Sequence, residues 1–226
     1  MLDSVGRQRH ACHVLVDRAA GAGVPDDFVT RLVQSQGTVT PPMDDDGVRR
    51  NVGGVIVGAV DTTSKATVLA LDQLLSRPAA LEQAQKAARQ GNDVLVAAYA
   101  FEALRFNPHN PIIVRTCHRD TVIAEGTERE THIEKGTIVY AATLSAMFDP
   151  AVLTEPDAFR IDRPASNYLH FGRGMHTCFG ERLNRVTVPE ALKHLLLLPG
   201  LRRAAGEAGE IRYDGPFPEH CFVEFD

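Results

Sequence analysis

One of the cysteines in the C-terminal part of the chain lies in a segment whose composition suits the binding of a flat, metal-containing group. Residues 171–180 read FGRGMHTCFG and lead into a predicted helix that starts at Cys178. Gly174 and Gly180 carry no Cβ, so the backbone can approach such a group closely. The first turn of a helix adds N–H groups and a dipole that favour a thiolate. Phe171 would supply an apolar wall that keeps water from the ligand.

The spacing of this segment carries more information than the cysteine, because a free cysteine beside glycines is usually a small buried hydrophobe. The pattern F-x-x-G-x-x-x-C-x-G, with His176 two residues before the cysteine, resembles the heme-binding signature of the cytochrome P450 family. The resemblance implies that Cys178 is the axial iron ligand of a thiolate-ligated heme b (iron protoporphyrin IX). It assigns Phe171, Gly174 and Gly180 to the heme pocket and His176 to a heme propionate. A thiol enzyme that uses Cys178 and His176 is a weaker interpretation, because the sequence suggests no third orienting residue.

Three further residues correspond to a structural motif of the same family. Glu102 and Arg105 lie three residues apart on one predicted helix and can therefore form an ion pair. The resemblance adds Arg163, from the coil before the cysteine segment, as the third member. We expect this trio to stabilise the fold through a bidentate arginine contact rather than to take part in chemistry.

An acid and an alcohol follow a pair of small residues in the middle of the longest predicted helix. The hydroxyl of Thr62 can bond to the carbonyl of Gly58 and bend the helix, although a glycine-rich helix also permits close packing. The resemblance implies that Asp61 relays protons and that Thr62 holds an iron-bound oxygen species, as a catalytic pair. Arg115, on a predicted strand, corresponds to the arginine of the family that binds a propionate.

Hydrophobic periodicity and helix breakers predict a mainly α-helical fold with a minor antiparallel β-sheet, which by resemblance is a P450-like fold truncated at its N-terminus. The aspartates at 44–46 place negative charge at the start of the longest helix. Asp93 is the predicted cap of a later helix, and Pro189 is predicted to kink the last one. The predicted helices are residues 25–36, 45–75, 79–89, 94–105 and 178–198. The predicted strands are residues 111–123 and 132–143, with irregular coil over 147–170.

The composition of the chain is that of a globular protein without a strongly charged face. Of the 226 residues, 44% are hydrophobic and 23% are charged, and the formal net charge is −5. The absence of a basic stripe argues against nucleic acid as a partner. The longest purely apolar run is much shorter than the roughly 20 residues that span a bilayer, so no membrane partner is expected. The four cysteines, Cys12, Cys117, Cys178 and Cys221, form no CxxC pair, and we expect a cytoplasmic location.

The resemblance extends from Asp44 to the C-terminus and matches the order of elements in the second half of a P450 enzyme. We therefore predict a short N-terminal helical segment over residues 1–43 and a heme-thiolate core over residues 44–226. A second chain that supplies the first half is one expected partner.

The resemblance implies a monooxygenase that inserts one oxygen atom from dioxygen into a small organic substrate. Because the chain has no flavin or iron–sulfur motif, its electrons would come from an external ferredoxin or flavoprotein reductase. One alternative is a peroxide-using or hydroperoxide-isomerising heme-thiolate enzyme, which needs no reductase. Another, from a different class, is a non-catalytic, truncated heme-binding module or one half of a split or fused protein. The pair Asp61 and Thr62 favours dioxygen chemistry.

Overall fold

The computed structural model describes residues 25–215 and 217–226, which belong to two compact units, residues 25–61 and residues 62–226. In the first unit, helix α1 (Phe28–Ser35) begins where the side chain of Asp27 accepts a hydrogen bond of 2.9 Å from the N–H of Thr30. Val33 and Val48 are the buried centre of this unit. The helix predicted over residues 25–36 is therefore confirmed with shorter bounds. The predicted segment before residue 25 lies outside the described residues.

The longest helix is α2 (Asp45–Leu75), with 31 residues and the bounds that the sequence predicts. The carboxylate of Asp44 accepts the N–H of Gly47 at 2.7 Å, so the predicted acidic start of the helix is confirmed. Length and composition alone make α2 the one helix in the described part of the chain that could cross a bilayer. The core helix of a water-exposed fold passes the same test, so the finding is weak evidence for a membrane.

Helices α3 (Pro78–Arg89) and α4 (Asp93–Phe106) follow with the predicted spacing. Pro78 opens α3, a position that proline tolerates because the first N–H groups of a helix have no partner within the helix. The predicted cap of α4 is wrong by one residue. The side chain of Asn92 accepts the N–H of Leu95 at 3.1 Å, because a cap residue reaches the third N–H of its helix. Asp93 instead provides negative charge within the first turn.

The strands are shorter and more numerous than the sequence predicts. Strand β1 (Ile113–Thr116) pairs with β4 (Ile138–Ala141), and β2 (Thr121–Ile123) pairs with β3 (Thr131–Ile133), both antiparallel. Each predicted strand is thus broken in two. The break before β4 is a turn in which Asp120 accepts the N–H of Lys135 at 2.8 Å and Gly136 has a φ of +91°, where glycine is unstrained.

The C-terminal strands were not predicted from the sequence. Strand β5 (Arg202–Arg203) pairs with β8 (Val223–Glu224), and β6 (Arg212–Asp214) pairs with β7 (Phe217–His220). The described residues therefore contain four two-stranded antiparallel ladders in place of one minor sheet. The prediction of a mainly helical fold with minor antiparallel β-structure is confirmed.

An irregular segment connects the ladders to the last helix, as predicted. It follows the short helix α5 (Thr143–Ala146) and includes 3₁₀ turns at Ala165–Asn167 and Gly174–His176. Helix α6 (Glu181–Leu196) begins three residues later than predicted, because Gly180 is its cap and the carbonyl of Cys178 accepts the N–H of Glu181 in a separate turn. The cysteine therefore precedes the helix. Pro189 lies buried within the continuous α6, and the kink stays a prediction.

The core of the second unit forms where α4 packs against α3 and α6. Apolar residues from the last turns of α2 complete it, with Leu69 and Leu74 almost fully buried. This packing fixes α4 and α6, and the cysteine segment lies directly before α6. The fully buried residues at its centre include Ala70, Ala84, Val96, Ala100, Ala103, Leu192 and Leu196.

Candidate functional site

Glu102 and Arg105 on α4 form an ion pair that is completely buried. The Nη2 atom of Arg105 lies 2.8 Å from Oε1 of Glu102, and Nε lies 3.0 Å from Oε2, so the contact is bidentate. Both side chains have no solvent exposure. Removing two charges from water costs several kcal/mol per ion, so the pair is stable only if its remaining polar atoms are also satisfied.

The remaining acceptor positions of Glu102 are filled by groups from the irregular segment. Nε of Arg163 lies 3.4 Å from Oε1, the backbone N–H of Arg160 donates to Oε1 at 2.9 Å, and the hydroxyl of Tyr168 donates to Oε2 at 3.0 Å. The structure thus brings together the three residues of the predicted trio and adds two donors. Burial and the nearby carboxylate raise the pKa of Tyr168 well above its usual value, so its hydroxyl remains a donor.

The two arginines of this cluster also bind carbonyl oxygens of the irregular segment. Arg105 donates to the carbonyls of Met147 and Ala158 at 3.0 and 3.1 Å. Arg163 donates to the carbonyls of Thr154 and Ala158 at 2.9 and 3.0 Å. The irregular segment forms no β-strand, and its backbone is instead held in place by hydrogen bonds from the two arginine side chains.

The cysteine segment forms a tight turn that presents the thiol outward. The N–H of Cys178 donates to the carbonyl of Phe171 at 2.8 Å and closes the segment into a loop. Gly172 and Gly174 have φ values of +68° and +71°, which residues with a Cβ rarely adopt. Cys178 is exposed, and its sulfur has no hydrogen bond to any residue that the structure describes.

The surroundings of Cys178 fit a thiolate-ligated heme. Met175 and Phe179 on either side of the cysteine are 94% and 90% exposed, so the free sulfur stands beside an uncovered apolar surface. One soft ligand next to such a surface suits an iron porphyrin, which is flat and largely apolar. A zinc or calcium site needs several ligands, and the described residues hold no cluster of three histidine, cysteine or acidic side chains.

The predicted propionate ligands are both exposed basic residues. His176 ends the 3₁₀ turn two residues before Cys178. Arg115 lies on β1, where its Nη1 atom donates to the carbonyl of Val114 at 2.9 Å. Their binding to the heme propionates stays a prediction.

The predicted catalytic pair lies on α2. Asp61 is exposed and Thr62 is half-buried, within an uninterrupted stretch of helix. A Cβ added at Gly58, one turn earlier, would meet no atom within 4 Å. The catalytic role of this pair stays a prediction.

An open cleft of about 620 Å³ lies between α4, the cysteine segment and α6. Phe101, Phe171 and Arg185 contribute to its walls, but Cys178 does not. The cleft nevertheless borders the cysteine segment, because Phe171 and Gly174 of the predicted heme pocket line it.

His170, which no sequence motif singles out, has a specific position in the structure. Its Nε2 atom donates to the carbonyl of Phe101 at 2.9 Å, and its ring stacks on Phe101 and Tyr168. The Nδ1 atom is buried and has no partner among the described residues. Burial lowers the pKa of His170 to about 4, so the ring is neutral at pH 7.

Asn184 on α6 was also missed. Its Oδ1 atom accepts hydrogen bonds from the hydroxyls of Thr63 on α2 and Thr187 on α6, at 2.9 and 3.1 Å. No sequence pattern indicates this contact, because Thr63 and Asn184 lie far apart along the chain.

The fold and the cysteine segment are those of the heme-thiolate class of proteins, and the chain belongs to the cytochrome P450 family. The model of that family matches residues 16–198. The family implies a heme held by a cysteine thiolate and an organic substrate.

Curated relatives come from fungi and are much longer than this chain. Linoleate diol synthase of Gaeumannomyces graminis is 44% identical over 84 residues, 37% of this chain and 7% of its own. The bifunctional dioxygenase–epoxy alcohol synthase of Fusarium oxysporum is 30% identical over 149 residues, 66% of this chain and 11% of its own. Psi-producing oxygenase A of Aspergillus fumigatus is 28% identical over 190 residues, 82% of this chain and 17% of its own.

Solved P450 structures agree with the fold over nearly the whole chain. The P450 heme domain of Tepidiphilus thermophilus has a TM-score of 0.79 at 26% identity, over 98% of this chain and 52% of that one. The ligand-free CYP105P1 has a TM-score of 0.77 at 28% identity, over 96% and 53%. The chain thus spans about half of these P450 structures.

Proposed function

We propose that this chain is part of a heme-thiolate enzyme that isomerises a fatty-acid hydroperoxide to a diol or an epoxy alcohol. The observation that carries this proposal is the similarity to a linoleate diol synthase and to a bifunctional dioxygenase–epoxy alcohol synthase. In the sequence analysis such isomerisation was the alternative to a dioxygen-using monooxygenase. The relatives favour the alternative.

The atom balance of this reaction fits a chain without an electron-transfer motif. A hydroperoxide of an unsaturated fatty acid has the same atoms as the diol or the epoxy alcohol of the same chain. One oxygen–oxygen bond breaks, and the released oxygen forms new bonds to carbon, so no external reductant is consumed. A thiolate-ligated heme supplies the cleavage of the oxygen–oxygen bond.

The residues of the chain have distinct roles in this proposal. Cys178 holds the iron, while His176 and Arg115 bind the propionates through charge-assisted hydrogen bonds. Gly174 and Gly180 let the backbone approach the ring, and Phe171 excludes water. Asp61 and Thr62 hold and move a proton beside the reacting oxygen.

A monooxygenase that uses dioxygen and an external electron donor is the second candidate. The acid–alcohol pair of Asp61 and Thr62 on α2 favours it, because protonation of a bound oxygen is the step that such a pair serves. The two candidates differ in a measurable requirement, since only the monooxygenase needs a reductant such as ferredoxin or a flavoprotein.

The proposal includes a partner that supplies the other half of the heme domain. Because the chain spans about half of the matched P450 structures, the other half comes from another segment or a second chain. The domain limits at 43 and 44 and the cytoplasmic location stay predictions.

The first test is heme binding by the purified chain. After addition of heme, reduction and exposure to carbon monoxide, we expect a strongly red-shifted Soret band that Cys178→Ser abolishes. Cys117→Ser is the matched control, because Cys117 is also a free cysteine but donates to the carbonyl of Arg119 in the strand region. A histidine-ligated or free-heme spectrum in the wild-type chain would contradict thiolate ligation.

The second test separates the two candidate reactions. The heme-loaded chain is mixed with a linoleic acid hydroperoxide without reductant, and the products are identified by mass spectrometry. We expect products with the mass of the substrate. Turnover of linoleic acid only with dioxygen and a reductant would instead support the monooxygenase.

A further inference from the structure

Lys65 on α2 binds two other segments of the second unit to that helix. The residue is only 7% exposed, and lysine is rarely buried without partners. Its Nζ atom donates to the carbonyl of His109, in the loop between α4 and β1, at 2.9 Å. The same atom lies 5.0 Å from the centre of the Phe217 ring, on the C-terminal hairpin formed by β6 and β7. One ammonium group therefore holds both the loop and the hairpin on α2.

His109 forms the third contact of this cluster. The centre of its ring lies 6.3 Å from that of Phe217. The hydroxyl of Thr143 on α5 donates to the carbonyl of Asn110 at 2.7 Å and fixes the loop. The Nδ1 atom of His109 is buried and has no hydrogen-bond partner among the described residues. A charged imidazole carries a proton on both nitrogens, so protonation would leave a buried donor without an acceptor.

The charges around His109 also oppose its protonation. Burial lowers the pKa of His109 to about 4, and the ammonium of Lys65 is the smaller cause of this shift. No other charged group in the described part of the chain shifts it. The loop and α5 carry no other ionisable side chain. The ionisable residues of the hairpin, which leave the pKa of His109 unshifted, are Arg212, Tyr213, Asp214, Glu219 and His220.

The hairpin has few other attachments. Apart from each other, β6 and β7 make no extensive backbone contact with any helix or strand that the structure describes. The hydrogen bond between Nδ2 of Asn107 and the hydroxyl of Tyr213 is long, at 3.4 Å. Phe217 is 40% exposed although it contacts both Lys65 and His109. Loss of the Phe217 contacts would therefore release the hairpin from α2.

We propose that the C-terminal hairpin is a pH-sensitive element that leaves α2 and the loop when His109 takes up a proton. Release gives the second N–H of the ring access to water, where the pKa of histidine is about 6.5. The released form therefore binds protons better than the docked form, so docking is complete above pH 6.5 and weakens as the pH falls toward 4. At pH 5 the ratio of released to docked hairpin should be about 30-fold higher than at pH 7.5.

Phe217→Trp provides a reporter of this release. The chain contains no tryptophan, and an indole ring keeps the contact with the Lys65 ammonium. Quenching of the indole fluorescence by acrylamide measures how exposed the ring is in the purified full chain. We expect quenching to increase from pH 7.5 to pH 5 while the helical circular dichroism stays constant.

His109→Gln in the same reporter chain removes the titrating group. It keeps the backbone carbonyl that accepts from Lys65, so we expect equal quenching at the two pH values. His118→Gln is the matched control, because His118 is exposed and its loss should leave the pH response of the reporter unchanged.

The outcomes decide the inference without reference to heme. Quenching that is independent of pH in the reporter chain, or that rises equally in His109→Gln, would overturn it. A loss of helical circular dichroism in parallel with the rise in quenching would also overturn it, because the whole chain would then be unfolding. Neither measurement involves heme binding or turnover, so the proposed function is tested separately.

Discussion

The carboxylate of Glu102 is the most heavily bonded single group in the site region, and its energetics depend on that saturation. Five donors reach its two oxygens, from Arg105, Arg160, Arg163 and Tyr168. A buried charge of this kind contributes stability through the completeness of its network, because any partner left alone in the interior retains its desolvation cost.

Glu102→Gln should therefore destabilise the chain strongly. The substitution leaves the Arg105 charge buried without a counterion, and we expect a loss of about 3–5 kcal/mol in the free energy of unfolding, measured by urea denaturation. Glu181→Gln is the matched control, since Glu181 pairs with Arg185 at the surface at 2.7 Å and such pairs contribute about 0–1 kcal/mol. Equal losses in the two variants would contradict the role of burial.

The neutral His170 should make stability depend on pH. Its pKa is about 4 in the folded chain, chiefly because of burial, against about 6.5 when unfolded, so between these values the unfolded chain binds more protons. Stability should be full above pH 6.5 and fall as the pH is lowered toward 4, by about 3 kcal/mol at most. Urea denaturation at pH 7.5 and pH 4.5 measures this difference.

His170→Gln is the variant that isolates this effect. The glutamine amide can still donate to the carbonyl of Phe101 but does not titrate, so we expect a smaller loss of stability on acidification. His118→Gln, at an exposed position, should keep the pH dependence of the wild type. An unchanged pH dependence in His170→Gln would exclude His170 as its source.

At the residue scale, the sequence predicted the contacts that follow from helix periodicity and from the spacing of motifs. Glu102 and Arg105 share a helix face, so their contact followed from their separation. Arg160 and Tyr168 could not be predicted, because they reach Glu102 from a coil that has no repeating geometry and, for Arg160, through the backbone.

At the scale of elements, the long helix α2 combines glycines with an exposed apolar surface. A Cβ added at Gly53, Gly54 or Gly58 would meet no atom within 4 Å. Ile56 and Val57 between them are exposed. Glycine weakens a helix, and no neighbouring atom of this chain would clash with a larger residue at these three positions. The glycines therefore need another explanation, such as the approach of a group outside this chain.

Comparison of Gly54→Ala with Gly58→Ala tests whether the glycine next to the predicted catalytic pair serves heme binding. Each substitution should stabilise the heme-free helix by about 1 kcal/mol, because alanine has the higher helix propensity. If α2 approaches the heme near Thr62, only Gly58→Ala should weaken heme affinity, measured by titration of the Soret absorbance. Equal affinities would show that Gly58 is not needed for that approach.

Helices were predicted more accurately than strands, and the reason is physical. The ends of α2 and α3 follow from aspartates and prolines with local effects. The division of each predicted strand depends on a turn in which Asp120 contacts Lys135, a partner far along the chain. Likewise, the start of α6 after Cys178 depends on how the loop closes onto Phe171.

At the scale of the whole molecule, the chain exposes apolar side chains at and beyond the cysteine segment. Phe179, Leu183 and Val186 are more than half exposed at and beyond the cysteine segment. Apolar residues on one helix face that lack a cover indicate a surface meant for another element. This agrees with a chain that spans about half of the solved P450 structures.

Replacing Leu183 and Val186 together by serine should leave the stability of the isolated chain nearly unchanged. Both residues are already more than half exposed, so we expect little change in the free energy of unfolding and less fluorescence from a dye that binds apolar surface. Leu192→Ser on the same helix is the control, since Leu192 is fully buried and its loss should cost several kcal/mol. A large destabilisation of the double variant would mean that α6 is covered within this chain.

The backbone N–H of Arg160 has a consequence for dynamics. Several carbonyls of the irregular segment, including those of Thr154 and Ala158, accept hydrogen bonds from arginine side chains. The backbone N–H of Arg160 instead donates a hydrogen bond to the buried carboxylate of Glu102. In hydrogen–deuterium exchange this one amide should retain its proton long after adjacent positions have exchanged, which makes it a natural reporter of when the interior of the chain opens.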